Sequence, residues 1–208
     1  GRLSDSATAV GEASDAQRLT ERILLGAKEV TRADGGTLYL LNEEQTALDF
    51  HILRNDTLAV AKESNGDELA INLGSVPLYP ADGSANYHNV AAYVALTGET
   101  VNIADAYSAE GFDFSGTQRF DAQTGYRSTS FLPLPMRDYQ GRVIGVLQLI
   151  NALDPETGVV TTFPEEDEDL VAAFAAQASA ALSLRRLVDL HSELFERFAQ
   201  VLAVAIDR

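Results

Sequence analysis

Apolar positions along the chain change spacing several times, and each change marks an element. From Asp15 to Arg32, Leu19, Ile23, Ala27 and Val30 recur at helical intervals, with Glu21, Lys28 and Arg32 pointing elsewhere. That spacing predicts an amphipathic helix, stopped by Asp34-Gly35-Gly36. Short runs follow. Thr37 to Leu41 and Ala47 to Leu53 read as strands joined by a turn over Asn42 to Gln45, Leu58 to Lys62 as a third strand and Ala70 to Leu73 as a fourth. Gly74 to Asn86, with Pro77, Pro80 and Gly83, is a long loop, a length that in a compact domain points to function or mobility. Asn89 to Thr97 returns to helical spacing through Val90, Tyr93, Val94 and Leu96, and Gly98 suits its C-terminal cap. Thr100 to Ile103 reads as a short strand, Ala104 to Ser115 as loop and Gly116 to Ala122 as a short helix.

The clearest strand signal is Ser128 to Met136 followed by Arg142 to Ile150, joined by the polar turn Asp138-Tyr139-Gln140-Gly141. Pro133 and Pro135 cannot donate to a ladder, so the first of these strands needs an edge or a non-bonding position for them. A last helix begins near Phe163-Pro164, with Glu165 to Asp169 in its first turn, where the helix dipole favours negative charge. No Gly or Pro follows before Arg208, so about 44 residues, roughly 66 Å, can be helical. Leu170 to Leu184 is Ala-rich and suits close packing. Leu187, Leu190, Leu194, Phe198, Val201 and Ala205 then form an apolar seam that predicts pairing with the same helix of a second copy. Hairpin-linked strands bracketed by helices imply an α+β domain with an antiparallel sheet.

Composition narrows the chemistry. The chain has 208 residues, 46% of them hydrophobic, enough for one domain with an appendage. Lys and Arg number 15 against 31 Asp and Glu, a net charge of -16 that argues against a nucleic-acid partner. No apolar run is long enough for membrane insertion, and cysteine is absent, which removes disulfides, thiolate metal sites and a cysteine nucleophile. These features fit a cytoplasmic protein. Gly1 to Ser14, small and polar, is expected to be a disordered leader outside the fold. His51, His88 and His191 lie far apart, with no zinc-like spacing, and no phosphate loop, dinucleotide fingerprint or nucleophile elbow occurs. The chemistry-bearing feature is instead a cluster of short polar residues, Asp121, Thr124 and Ser128, around Gly125 just before the second hairpin.

The segments ADGGTLYLL (33–41), ALTGETVNIADAYSAEGFD (95–113), TGYRSTSFLPLPM (124–136) and GRVIGVLQLINA (141–152) resemble, in order, those of a GAF domain. The resemblance runs from about Gln17 to Leu184. It implies a sensor module over 15–184, with a six-stranded antiparallel sheet and a small-molecule pocket. Residues 185–208 would be a signalling and dimerisation helix leading to a downstream domain. By the same resemblance Asp121, Thr124 and Ser128 would contact ligand through side chains, and Asn89, Val90 and Ala91 through the start of a helix. Hydroxyl and carboxylate groups suit a base edge and ribose hydroxyls, and free helix N–H groups suit a phosphate. A cyclic nucleotide is therefore the candidate ligand. Arg119 and Arg127, the basic residues nearest this cluster, are expected at the surface.

Cyclic-nucleotide-binding members of that family carry Asn-Lys, a gap, then Phe-x-x-x-Asp-Glu, a signature that buttresses the pocket. Asn151, Phe163, Asp167 and Glu168 match it, whereas Ala152 stands where the Lys would be. Some members bind haem through a histidine, but for His88 a plain loop residue is the favoured reading. The segment Leu194 to Arg208 resembles the helix that enters an HD-GYP phosphodiesterase domain in bacterial signalling proteins. The expectation is thus a non-enzymatic regulatory domain, a homodimer acting in cis on a phosphohydrolase domain beyond Arg208. The alternative is a ligand-free scaffold serving dimerisation, its pocket plugged by Tyr39, Phe50, Phe131 or the long loop.

Overall fold

The computed structural model describes residues 2–63 and 74–207, with backbone alone for 2–14, 16 and 60–63. The expected strand at Ala70 to Leu73 lies outside the described residues. Five strands form the main sheet, in the order β3 (Val60–Glu63), β2 (Ala47–Asn55), β1 (Ala33–Leu41), β6 (Val143–Leu153), β5 (Phe131–Arg137), with every pairing antiparallel. Two-residue strands β4 (Val76–Pro77) and β7 (Val160–Thr161) add to β2 and β6, completing the antiparallel α+β sheet that the sequence leads one to expect. Both predicted hairpins are present, and β1–β6 pairing joins them. Pro133 and Pro135 lie on the outermost long strand, as their missing N–H requires. The strand expected at Thr100 to Ile103 is reduced to a single bridge between Ile103 and Phe131.

The two faces of the sheet carry different layers. On one, α1 (Arg2–Thr31) and α4 (Glu166–Ile206) pack on Leu38, Ile52, Leu132, Leu134, Leu147 and Leu149. On the other, α2 (Val90–Thr97) covers Leu48 and Val146, while Val90 meets Phe114, Phe131 and Ile103. Each fully buried leucine contributes about 1.5–3 kcal/mol, and most of those large side chains belong to the first layer. The long helices are therefore bound to the sheet by the main core.

Helix α1 departs from expectation in extent and in rotation. Its backbone is helical from Arg2, well before Asp15 and through the segment expected to be a disordered leader. Its buried face is Thr20, Ile23, Leu24, Ala27, Lys28 and Thr31, leaving Leu19 and Val30 exposed. Lys28, expected on the polar side, is 4% exposed, and its ammonium reaches Asp56 Oδ1 at 2.7 Å. The cause lies in the strand beneath: a Cβ on Gly36 would sit 2.8 Å from Leu24 Cδ1 and 3.3 Å from Lys28 Cγ. Gly36 thus admits the helix closely on that side. Glu21 of α1 also pairs with Arg54 of β2 at 2.9 Å.

Local signals act as expected at the other elements. Asn89 caps α2 by accepting from Ala92 N–H at 3.1 Å, and Gly98 ends it at φ 70°. Gly141, at φ 78°, closes the β5–β6 turn, with its N–H donating to Asp138 O at 3.0 Å. The short helix α3 (Ser115–Thr124) ends at Gly125, φ 74°. In α4 the last buried residue is Leu182; Leu184, Leu187, Leu190, Leu194, Phe198 and Val201 are all exposed.

Gly145, on β6, allows the central pairing. A Cβ there would lie 2.2 Å from the carbonyl oxygen of Tyr39 and 2.6 Å from Met136 Cε. Gly145→Ala is expected to push β1 from β6 and to lower stability by about 3 kcal/mol, at the upper end of overpacking costs. Urea denaturation monitored by circular dichroism measures it.

Candidate functional site

Asp121, Thr124 and Ser128 fall at the end of α3 and the start of the segment leading into β5, and the structure brings two of them into direct contact. Asp121, 5% exposed, accepts from Ser128 Oγ at 2.8 Å on Oδ1 and from Ser128 N–H at 2.9 Å on Oδ2. Its Oδ2 also accepts from the Tyr107 hydroxyl. Thr124 faces its own helix: its hydroxyl donates to Phe120 O at 2.8 Å and accepts from Tyr126 N–H at 3.3 Å. In this state Thr124 closes α3. Arg127 is at the surface as expected, its guanidinium 4.4 Å from the Tyr107 ring centroid. Arg119 is exposed too.

The segment between these residues is tied to the sheet by Asn151. Its Oδ1 accepts from Thr129 N–H at 2.7 Å and Ser130 N–H at 3.2 Å, and its Nδ2 donates to Tyr126 Oη at 2.9 Å and Arg127 O at 2.8 Å. Asn151 holds φ 59°, a left-handed conformation that asparagine tolerates better than most residues. Tyr126 in turn donates to Asp34 Oδ2 at 2.7 Å. Burial first, and then this bond to a carboxylate, push the Tyr126 hydroxyl far above its ordinary range.

Asn89, Val90 and Ala91 begin α2 over the same side of the sheet. The Asn89 side chain is occupied as a cap, while the N–H groups of Val90 and Ala91, at the first turn, have no acceptor among the described residues. Val90 shares a core cluster with Ala106, Phe114 and Phe131, which brings the start of α2 alongside the Tyr107 loop and the start of β5. Phe131, one of the expected plugs, is 2% exposed and packs against Phe114 at 5.3 Å between centroids. Through Phe112 and Tyr93, a line of edge-on rings continues from Phe114 to the exposed Tyr87.

Gln148 was missed by the sequence reading. It is 5% exposed and lies midway along β6, between Val146 and Ile150 on the α2 side, with Thr37 and Pro133 as its strand partners. Its Oε1 is buried without a hydrogen-bond donor. Such an atom costs about 1–3 kcal/mol unless something supplies a donor. The signal was present in the sequence: Gln148 is the one polar side chain in the run Val143 to Ile150.

The signature residues hold the base of α4. Phe163 is 1% exposed in the main core, and its carbonyl accepts from Asn102 Nδ2 at 2.9 Å. The same Asn102 donates to Glu168 Oε1 at 3.1 Å. Ala152, 2% exposed, lies in the core and carries no charge toward Asp167. Partial burial, followed by the neighbouring Glu166, raises the Asp167 carboxyl above its usual value. Asn102 therefore supplies the polar tie at the start of the long helix, a role that a single loop asparagine does not announce.

Of the remaining candidates, His88 is exposed in the loop before α2, where its carbonyl accepts from Asp113 N–H at 2.7 Å. His51 is buried on β2, and His191 is exposed on α4. An open concavity of about 460 Å³ lies at the β1–β2 turn, lined by residues including Leu41, Glu43, Asp49 and Phe50. None of the expected ligand residues lines it.

Asn151→Ala removes four hydrogen bonds and leaves alanine in a left-handed conformation. The expected loss is about 3 kcal/mol or more, because two backbone N–H groups and a buried tyrosine lose their partner. Chemical denaturation checks it, with Asn151→Gly, which relieves only the backbone strain, recovering a minor part.

Comparison with known proteins agrees with this architecture. Residues 15–182 match the model of the GAF domain family. Among curated relatives, the dual 3',5'-cyclic-AMP and -GMP phosphodiesterase 11 of Drosophila melanogaster is 28% identical over 77% of this chain and 10% of its own length. The probable 3',5'-cyclic phosphodiesterase pde-5 of Caenorhabditis elegans is 30% identical over 81% of this chain and 20% of its own. This chain thus spans a fifth or less of these relatives. Among solved structures, the GAF domain region of a putative membrane protein from Geobacter sulfurreducens PCA superposes with a TM-score of 0.60. It has 14% identity and covers 84% of this chain and 97% of that one. The GAF domain of an Acinetobacter phosphoenolpyruvate-protein phosphotransferase gives 0.55 at 17% identity, covering 86% and 96%. A sheet with the two long helices on one face and α2 with the polar cluster on the other, matched along this length, makes the chain a member of the GAF domain family, whose domains are regulatory and not catalytic.

Proposed function

We propose that the chain is a sensor domain that binds a cyclic nucleotide on the α2 side of the sheet. The carrying observation is the buried, unpartnered Oε1 of Gln148, an acceptor on that side of the sheet with no donor of its own. Two further features support it. The free N–H groups of Val90 and Ala91 offer a phosphate site without Lys or Arg, and Asp121 with Ser128 supplies polar groups for a base or ribose. Cyclic phosphodiesterases among the relatives point to the same ligand class. Isothermal calorimetry of the 208-residue chain with cyclic AMP and cyclic GMP tests the reading. Binding of one of them is expected, weakened about tenfold or more by Gln148→Leu, the loss typical of a buried hydrogen bond. Failure of both nucleotides to bind overturns it.

One observation favours the scaffold alternative: Asp121, Ser128 and Thr124 are satisfied by protein partners. The same titration separates the two.

The output side of the proposal is the distal half of α4. Leu184, Leu187, Leu194, Phe198 and Val201 form an exposed stripe that the chain's own core never reaches, and a second copy of that helix would cover it. The domain would then act in a cytoplasmic dimer, passing ligand state through α4 to a phosphohydrolase domain in cis. Two features support that output: the phosphodiesterase relatives, and the likeness of Leu194 to Arg208 to the helix entering an HD-GYP domain. Sedimentation should find the full chain dimeric and a chain ending at Leu184 monomeric. Equal dimerisation of both removes the role of the stripe.

A further inference from the structure

Tyr107 lies on the loop between Ile103 and α3 and is 41% exposed, yet its hydroxyl donates to the buried carboxylate of Asp121. A half-exposed side chain thus reaches a buried carboxylate. From within, Asp121 is held by both the hydroxyl and the backbone N–H of Ser128. The outer contact is of another kind. The Tyr107 loop joins β5 through Ile103 and through Ala106 N–H to Thr129 O at 2.8 Å. Beyond that, surface contacts hold the tyrosine: Arg127 lies 4.4 Å from its ring centroid and 3.6 Å from Asp105 Oδ2, and Asp105 Oδ1 accepts Tyr107 N–H at 2.9 Å. Exposed cation–π and ion-pair contacts of this sort contribute about 1 kcal/mol or less each.

We propose that Tyr107 is a shutter over Asp121: in the ligand-free chain its hydroxyl takes an acceptor position that a ligand N–H or O–H needs, and its ring covers that position. The proposal rests on the ligand reading given above. Ligand entry then requires the Tyr107 side chain to swing outward, breaking the stack with Arg127, while Ser128 keeps the carboxylate aimed. Tyr107 is therefore a positioning residue that lowers affinity. It selects for ligands whose donor outcompetes a phenol. The bond to Asp121 is also the first cause of the raised pKa of the Tyr107 hydroxyl.

Two measurements on the full chain decide it, with Tyr107→Phe and Arg127→Ala as variants. In hydrogen–deuterium exchange without ligand, both variants should speed exchange of residues 104–114 by about tenfold, the loss of roughly one hydrogen bond's free energy. Exchange in the buried part of α4 and the melting temperature should stay near wild type. In calorimetry with cyclic AMP and cyclic GMP, Tyr107→Phe should bind about tenfold more tightly than wild type, since a competing bond is gone. A purely structural tyrosine gives the opposite pattern, a lower melting temperature with unchanged or weaker binding, and that overturns the shutter. If no nucleotide binds either protein, the nucleotide reading fails and exchange alone decides: unchanged exchange of 104–114 overturns the shutter, and faster exchange confined to the loop upholds it.

Discussion

The candidate site depends on one side chain, Asn151, which makes four hydrogen bonds from a left-handed backbone position near the end of β6. Those bonds fix residues 126–130 against the sheet. Ser128 is thereby aimed at Asp121, and Tyr126 at Asp34. Further bonds, such as Ala152 N–H to Ser130 Oγ at 3.1 Å, add to that anchor. A buried network of this kind rigidifies when complete and is costly when a single member is lost.

Around that anchor the sheet separates two tasks. One face binds the long helices through the main core and through the close approach that Gly36 permits. The other face carries α2, the aromatic line and Gln148. A path of contacts crosses between them at the edge of β1: Tyr126 bonds the Asp34 carboxylate, the Asp34 carbonyl accepts from Asp56 N–H, and Asp56 pairs with Lys28 of α1. Contiguity of this sort gives the two faces a physical connection through which coupling can run.

Elements with strong local chemistry were legible in the sequence. The β5–β6 hairpin followed from its polar turn and Gly141, α2 from Asn89 and Gly98, and the long helix from acid at its start and the absence of Gly and Pro. What tertiary contact decides was not legible. Helical periodicity alone put Lys28 outward, whereas the missing Cβ of Gly36 turns that side of α1 into the sheet. The expected strand at Thr100 to Ile103 shrank to one bridge: Val101 N–H donates to Pro133 O at 3.3 Å, but proline has no N–H to return the bond. Asp121 and Ser128 are close in sequence, but their mutual bond and the Tyr107 contact depend on a loop whose path no spacing rule encodes. Asn102 and Gln148 escaped for the opposite reason: each is ordinary in sequence and distinctive only by what surrounds it.

A sensor must have two states that a ligand distinguishes, and a ligand shifts them only by its difference in affinity between the two. Under the proposed shutter, the Tyr107 bond would set the size of that difference at the Asp121 end. Asp121 is satisfied without ligand, so a bond to it gains only the excess over the phenol it replaces. Gln148 is not satisfied, so a donor supplied there recovers a desolvation penalty the closed state already carries. Affinity should therefore come mainly from the sheet floor under α2. The Asp121 end, where opening would swing the Tyr107 side chain outward, would be suited to converting binding into movement. Signal and affinity would then reside in different residues of one site, which lets a weakly bound ligand still drive a conformational change.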